Sequence, residues 1–262
     1  EAAAAAILAN RTNAGLATAA GAYTPGTGLG GRRPTPPAFA SFATPCWGAV
    51  KPFTMTRGDR WRPASQPYFH LNMRTYTREF NEVKEYGGVG STSRTTDQSE
   101  SARFWYPNPP LTWGRIAGIV AAQQGLDLWE SARLYTLLST AQADALIAVW
   151  DAKLVYPFWR PVTAIREADT DGNPNTEADA GWTSYMVNPP YPDYTSGHSA
   201  VDGAAADQFG ETFLKFFAVV IRSGFFDLVA NRLDASFDRR RVALTVNNRR
   251  VVFVNRNAFG FA

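Results

Sequence analysis

The sequence has few of the residues that disulfide scaffolds and zinc sites need. Its 262 residues include one cysteine, Cys46, and two histidines, His70 and His198. A single cysteine cannot form an intramolecular disulfide, and no Cys/His spacing for a zinc site can be built from these three residues. Both classes are therefore excluded. The lone cysteine leaves the compartment open, because secreted proteins need not contain disulfides.

Long apolar runs and a strong charge imbalance are also missing. The longest apolar stretches, such as residues 216–221, are far shorter than the about 20 residues that a membrane-spanning helix needs. The net charge of +3 is a mild excess, and the arginines are spread along the chain apart from clusters at 239–241 and 249–250. These features predict a soluble protein, compatible with secretion, that has no membrane span and no nucleic-acid partner.

Helical periodicity runs through most of the chain. Apolar residues recur at three- and four-residue intervals in four stretches, which predicts four helices. These stretches are 71–86, 95–105, 113–124 and 128–155. Further helices are expected from Ser196 and over 211–221. The segment 126–155 is apolar around most of its circumference, as expected for the central helix of a bundle. We predict a single all-α, helical-bundle domain over residues 1–262.

Proline and glycine set one segment apart from this pattern. Between residues 21 and 67 the chain holds eight prolines and many glycines, so regular helix is excluded there. Interleaved aromatic residues such as Phe42 and Trp47 predict that this Pro/Gly-rich segment wraps over the surface of the helical domain. A free linker would carry polar residues instead. Residues 236–262 show no clear pattern apart from a strand signal at 250–254.

A short motif before the helix expected near residue 196 suits anion binding. Ser196 is a good N-cap residue, and Gly197 lets a ligand approach the backbone closely. The free N–H groups of the first turn and the positive end of the helix dipole favour an oxyanion. His198, in the same turn, can give or take a proton near neutral pH. By itself, the motif is more typical of an ordinary capped helix than of an anion site.

Two cations stand in an aromatic stretch around the end of the 128–155 helix. Lys153 is expected near the helix end and Arg160 on the turn beyond it, because Pro157 and Pro161 oppose helix there. The compact charge of lysine and the planar fork of arginine together suit an anion with several oxygens. The alternative is a pair that extends its charged ends into solvent at the edge of a bundle.

Lys153, Arg160-Pro161 and Ser196-Gly197-His198, in this order, resemble the first two motifs of the superfamily that joins vanadium-dependent haloperoxidases to type 2 phosphatidic acid phosphatases. Further segments resemble its soluble haloperoxidase-like branch. These are Asn81-Glu82-Val83-Lys84, Ser93-Arg94-Thr95, Phe104-Trp105, Trp150-Asp151-Ala152-Lys153, residues 158–166 and Asp171-Gly172-Asn173-Pro174. The resemblance extends from about residue 75 to residue 212, and the joint spacing is far more specific than any single motif.

The resemblance implies a pocket for vanadate, in which phosphate or sulfate can substitute. It implies that Lys153 and Arg160 bind equatorial oxygens, that Ser196 and Gly197 donate further hydrogen bonds, and that His198 is the acid–base residue. Two reactions are implied: oxidation of a halide by peroxide, with vanadate as Lewis acid, or hydrolysis of a phosphate ester in the same pocket. The lack of membrane segments favours the haloperoxidase branch.

The chain departs from the family at the third motif, which supplies a second arginine and, six residues later, the histidine that bonds vanadium or is phosphorylated. No histidine follows His198. Arg249 with Asn255 has the matching spacing, and Arg250 with Arg256 is the runner-up pair. We place Arg249 among the oxyanion-binding residues and position 255 at the vanadium ligand.

Asparagine cannot replace imidazole as an apical ligand of vanadium. Two interpretations of Asn255 therefore stay open. In the first, the site binds an oxyanion without turnover, as in a storage or interaction protein of this fold. In the second, position 255 is a histidine in the native protein, which mass spectrometry of the peptide 251–256 would show.

Overall fold

Helices form where the sequence period predicts them. The computed structural model describes residues 1–65 and 70–220. Within these residues lie seven α-helices: α1 (Ala2–Arg11), α2 (Arg74–Tyr86), α3 (Thr96–Trp105), α4 (Pro109–Gln123), α5 (Leu128–Val155), α6 (Pro161–Arg166) and α7 (Gly197–Val220). No strand forms in the same part of the chain, where isolated antiparallel bridges join Gly31 to Phe158 and Gly88 to Ser184. The prediction of an all-α class is confirmed.

Local capping residues explain where several helices begin. At α3, the Thr95 hydroxyl accepts a hydrogen bond from the Gln98 backbone N–H, and the Gln98 side chain accepts one from the Thr95 N–H. Asp127 and Glu130 exchange the same pair of bonds at the start of α5. These capping boxes satisfy N–H groups that have no partner inside the helix. Helix α5 has the bounds that the apolar period predicts.

Two other predicted boundaries shift. Helix α4 begins four residues before the predicted start, at Pro109, because proline is tolerated in a first turn, where the N–H groups lack intrahelical partners. Helix α2 begins at Arg74 instead of residue 71. The helices predicted from Ser196 and over 211–221 are one continuous element, α7. No described helix is both long and apolar enough to cross a membrane.

The chain forms two compact units, each built from two separate stretches of sequence. The first unit contains Glu1–Arg94 and Leu146–Ser196, and the second contains Thr95–Ala145 and the chain from Gly197 onward. Helix α5 begins in the second unit and ends in the first. The single domain expected from the sequence stays a prediction.

The first unit has an aromatic core formed largely by α2 and the region of α6. Tyr76 and Phe80 of α2 belong to the same buried cluster as Trp159, Ile165 and Trp182. The indole N–H of Trp182 donates to the carbonyl of Lys84 at 3.0 Å, so this large ring is buried without losing its hydrogen bond. The cluster fixes the chain on either side of Arg160.

The Pro/Gly-rich segment is pinned to the same unit, as predicted. Its Phe42 is buried, and its backbone hydrogen-bonds to the chain near residues 157–159 and 190. Gly48 runs against the end of α5, where an added Cβ would lie 2.5 Å from the backbone nitrogen of Asp151. Glycine at this position therefore permits the close approach.

The second unit packs α4 against α7 and the first half of α5. Ala117 and Ala205 are fully buried beside Leu134 and Leu138. Small side chains allow this close helix packing, as expected from the alanines of α7. The first turn of α5 differs, because Leu128 and Trp129 are 81% and 83% exposed. The expectation that α5 is buried around most of its circumference is therefore wrong for its first turn. Apolar periodicity identifies an apolar face but does not show what covers the end of a helix.

Candidate oxyanion-binding site

Lys153 lies in the last turn of α5, as predicted, with 1% of its surface exposed. Its ammonium group donates hydrogen bonds to the carbonyls of Pro192, at 2.6 Å, and Asp193, at 3.0 Å. Burial lowers the pKa of Lys153 well below its ordinary value, and repulsion from Arg160 adds to this while Asp193 opposes it. Keeping the buried Lys153 protonated therefore costs free energy, and a bound anion would reduce this cost.

Arg160 lies on the turn beyond α5, immediately before α6. Its backbone is extended, because the following proline disfavours the helical conformation. Its side chain is 2% exposed, and it donates to the carbonyl of Tyr191 at 2.8 Å and to the carboxylate of Asp193 at 3.2 Å. Lys153 and Arg160 therefore converge on the peptide 191–193, and a solvent-extended pair at a bundle edge is the wrong interpretation.

The ring of Tyr191 lies beside both cations. Its centroid is 5.0 Å from the Lys153 ammonium and 4.9 Å from the Arg160 guanidinium carbon. An aromatic ring at this distance stabilises a cation by electrostatic attraction without neutralising its charge. The pair therefore keeps its positive charge available to an oxyanion.

Arg32 is a third buried cation that sequence reasoning missed. It is 0% exposed, and burial lowers its pKa, with Tyr23 opposing the shift and Arg160 adding to it. Within a Gly-Gly-Arg-Arg-Pro run an arginine suggests a solvated surface, and the neighbouring Arg33 does pair with the half-exposed Glu167 at 3.0 Å. The two preceding glycines are the one sequence signal that the backbone packs closely here.

His198 is the second residue of α7, in the second unit. Its Nε2 atom is buried and has no hydrogen-bond partner among the described residues. Asp202 stands one turn further along α7 and accepts a hydrogen bond from the Trp113 indole N–H at 2.7 Å. Burial raises the pKa of Asp202, while the Trp113 bond and attraction to His198 oppose the rise. Sequence analysis missed Asp202, although its i, i+4 spacing from His198 was a signal.

The other predicted site residues take the following places. Ser196 directly precedes α7 and ends the first unit, and Gly197 begins the second. Arg249 and Asn255 lie outside the described residues. That Lys153, Arg160, Ser196, Gly197, His198, Arg249 and position 255 share one pocket stays a prediction.

Sulfate affinity is expected to fall about tenfold as the pH rises from about 7 towards the ordinary pKa of a lysine, about 10.4. Sulfate stays a dianion in this range, whereas Lys153, with its lowered pKa, loses its proton below the pH at which an ordinary lysine does. Isothermal titration calorimetry measures the change. The Lys153→Met variant should bind sulfate more weakly and without this pH dependence. A wild-type affinity that is constant over the range would contradict the role of Lys153.

Three similarities to known proteins bear on this arrangement. The sequence profile of the VCPO second helical-bundle domain matches residues 133–229, which include Lys153, Arg160 and His198. The vanadium chloroperoxidase of Curvularia inaequalis is 28% identical over an alignment 142 positions long, which covers 44% of this chain and 23% of that protein. The crystal structure of a bacterial vanadium-dependent iodoperoxidase matches with a TM-score of 0.62 and 30% identity.

The structural match covers 72% of this chain and 47% of the iodoperoxidase chain. This chain therefore spans less than half the length of either relative. The matched profile describes a helical bundle, in agreement with the all-α fold of residues 1–65 and 70–220. Profile, sequence and structure thus all support the vanadium haloperoxidase superfamily for this chain.

Proposed function

We propose that this chain binds vanadate and oxidises a halide with peroxide. The observation that carries the proposal is the convergence of two buried cations, Lys153 and Arg160, on the peptide 191–193 just before the Ser196-Gly197-His198 motif. Buried cations are costly unless an anion pairs with them. Asp193 supplies one negative charge, and an oxyanion would supply the remainder.

The residues present fit vanadate. Lys153 and Arg160 offer positive charge and hydrogen-bond donors, and Nε2 of His198 is a buried polar atom without a partner in the described chain. In the proposed site, Lys153, Arg160, Ser196, Gly197 and Arg249 hold the oxygens. When bound, vanadate supplies a Lewis acid that activates peroxide towards attack by a halide.

The protein's own residues have two tasks in this reaction. Lys153 and Arg160 neutralise and orient the anion, and the carbonyls of residues 191–193 hold both side chains in place. Conversion of peroxide and halide to hypohalous acid and water consumes a proton. We assign that proton to Nε2 of His198, because the atom is buried without a hydrogen-bond partner in the described chain and an imidazole nitrogen can donate or accept a proton.

Asn255 favours a second candidate, a protein of this fold that binds an oxyanion without turnover. An amide side chain has no ring nitrogen to bond vanadium or to accept a phosphoryl group. Phosphate-ester hydrolysis in the same pocket is the third outcome to be tested.

Two assays separate these functions. A haloperoxidase should oxidise iodide or bromide only with added vanadate and peroxide, and phosphate should inhibit it. A hydrolase should release phosphate from p-nitrophenyl phosphate, and vanadate should inhibit that release. Inactivity in both assays, with a helical circular dichroism spectrum, would contradict the proposal and favour the non-catalytic protein.

A further inference from the structure

Arg32 is fully buried, yet most of its hydrogen-bonding capacity is unused. Its NH2 group donates to the carbonyl of Ala40 at 3.3 Å. Nε and NH1 are buried and have no hydrogen-bond partner among the described residues. A buried guanidinium without partners is costly, because the group has lost its hydration and gained nothing in return. Such a group in a family of anion-binding proteins points to a ligand.

The backbone around Arg32 is attached to the turn that carries Arg160. The N–H of Arg32 donates to the carbonyl of Pro157 at 2.7 Å, and the N–H of Trp159 donates to the carbonyl of Gly30 at 2.8 Å. Gly30 has a φ of +73°, and an added Cβ there would lie 3.4 Å from the Phe158 ring. Glycine therefore lets the chain turn at residue 30. The two hydrogen bonds hold the backbone of Arg32 beside residues 157–159, which follow α5.

Arg160 interacts electrostatically with both Arg32 and Lys153. Repulsion from Arg160 contributes to lowering both the pKa of Arg32 and the pKa of Lys153. The three side chains are 0%, 1% and 2% exposed, respectively. Asp193, which pairs with Arg160 at 3.2 Å, is one negative charge against three positive ones. An oxyanion with two negative charges would balance this cluster.

We propose that Arg32 is a third cation of the oxyanion site and gives hydrogen bonds from its unpaired Nε and NH1 to a bound phosphate or vanadate. This inference rests on the proposed function and deepens it. It places a ligand-binding residue in the Pro/Gly-rich segment, more than a hundred residues before Lys153 and Arg160. Anion binding would thereby fasten this segment to the turn between α5 and α6.

The test compares Arg32→Met with Arg33→Met, using calorimetric titration with inorganic phosphate and with orthovanadate. Arg32→Met should lower the affinity for both anions about tenfold to hundredfold, because the variant loses a charge-assisted hydrogen-bonding partner. Arg33 is the matched control, because it is the next residue and pairs with Glu167 near the surface. Arg33→Met should bind both anions as the wild type does.

Thermal unfolding provides a second readout. Without an anion, Arg32→Met should melt at the wild-type temperature or above it, because an unpaired buried charge has been removed. With phosphate, the wild type should be stabilised and Arg32→Met should show less than half of that shift. If Arg32→Met does not fold, Arg32→Lys replaces it, and this variant should bind several-fold more weakly because lysine lacks the guanidinium donors.

The outcomes separate this inference from the proposed function. If the wild type binds neither anion, both are wrong. If Lys153→Met loses binding while Arg32→Met, or its replacement Arg32→Lys, binds as the wild type does, Arg32 has no part in the site and the proposed function stands. Loss of binding in both the Lys153 and Arg32 variants, with Arg33→Met unaffected, supports the inference.

Discussion

Replacing Arg160 by alanine is expected to weaken vanadate binding by about a hundredfold, or about 2.7 kcal/mol. Arg160 is 2% exposed and reaches the same peptide as Lys153, so its loss removes both charge and hydrogen-bond donors from the cluster. Calorimetric titration measures the affinity. The control is Arg11→Ala, because Arg11 contacts the carbonyl of Pro52 and the Phe53 ring, apart from the buried cations.

The Arg160→Ala variant also removes the ion pair with Asp193 and the hydrogen bond that Arg160 donates to the carbonyl of Tyr191. A melting curve should therefore accompany the titration. Arg160→Lys keeps the charge and is expected to restore part of the affinity, although lysine lacks the planar fork. Equal affinities for Arg160→Ala and Arg11→Ala, in proteins that both fold, would contradict the proposed site.

Replacing Asn255 by histidine is expected to raise both vanadate affinity and vanadate-dependent halide oxidation by about a hundredfold. The resemblance to the family implies that the third motif supplies a further cation and an apical ligand for the anion. Arg249 and a histidine at 255 would supply these, at the six-residue spacing of the family's third motif. Titration and a halide oxidation assay measure the two gains.

Two matched variants test the register of this substitution. Asn257→His places the same side chain two residues away and should change neither quantity. Arg256→His tests the runner-up pairing with Arg250, and a gain there instead of at 255 would move the ligand by one residue. Strong halide oxidation by the wild type, with asparagine confirmed at 255 by mass spectrometry, would show that this account of the apical ligand is wrong.

The sequence predicts the elements of this fold better than it predicts their burial. Helix α5 has the predicted bounds because a sustained apolar period and a capping box at Asp127 act together. The exposed Leu128 and Trp129 could not be foreseen, since periodicity identifies an apolar face and not what covers it. The all-α class is confirmed and the vanadium haloperoxidase superfamily is supported, because long periodic helices and widely spaced motifs are the strongest sequence signals.

Some residues of the candidate site could be predicted from the sequence, and others could not. Lys153 and Arg160 were predictable because both stand in one short aromatic stretch whose prolines locate the end of the helix. Arg32 was not, because its burial depends on contacts with Pro157 and Trp159, far along the chain. No local pattern distinguishes Arg32, which is fully buried, from Arg33, which pairs near the surface.

The attachment of Gly30 and Arg32 to the chain near Pro157 has a consequence for biosynthesis. Pro157 lies 125 residues after Arg32, and a ribosome adds this length of chain in roughly 6–25 s at typical elongation rates. During that interval the Pro/Gly-rich segment lacks its hydrogen bonds to residues 157–159 and 190, and Phe42 and its neighbours are open to chaperones. Contacts of such long range also slow refolding, because the loop must close before they form. The segment that carries Arg32 is thus synthesised before the chain near Pro157, and it can pack against that chain only afterwards.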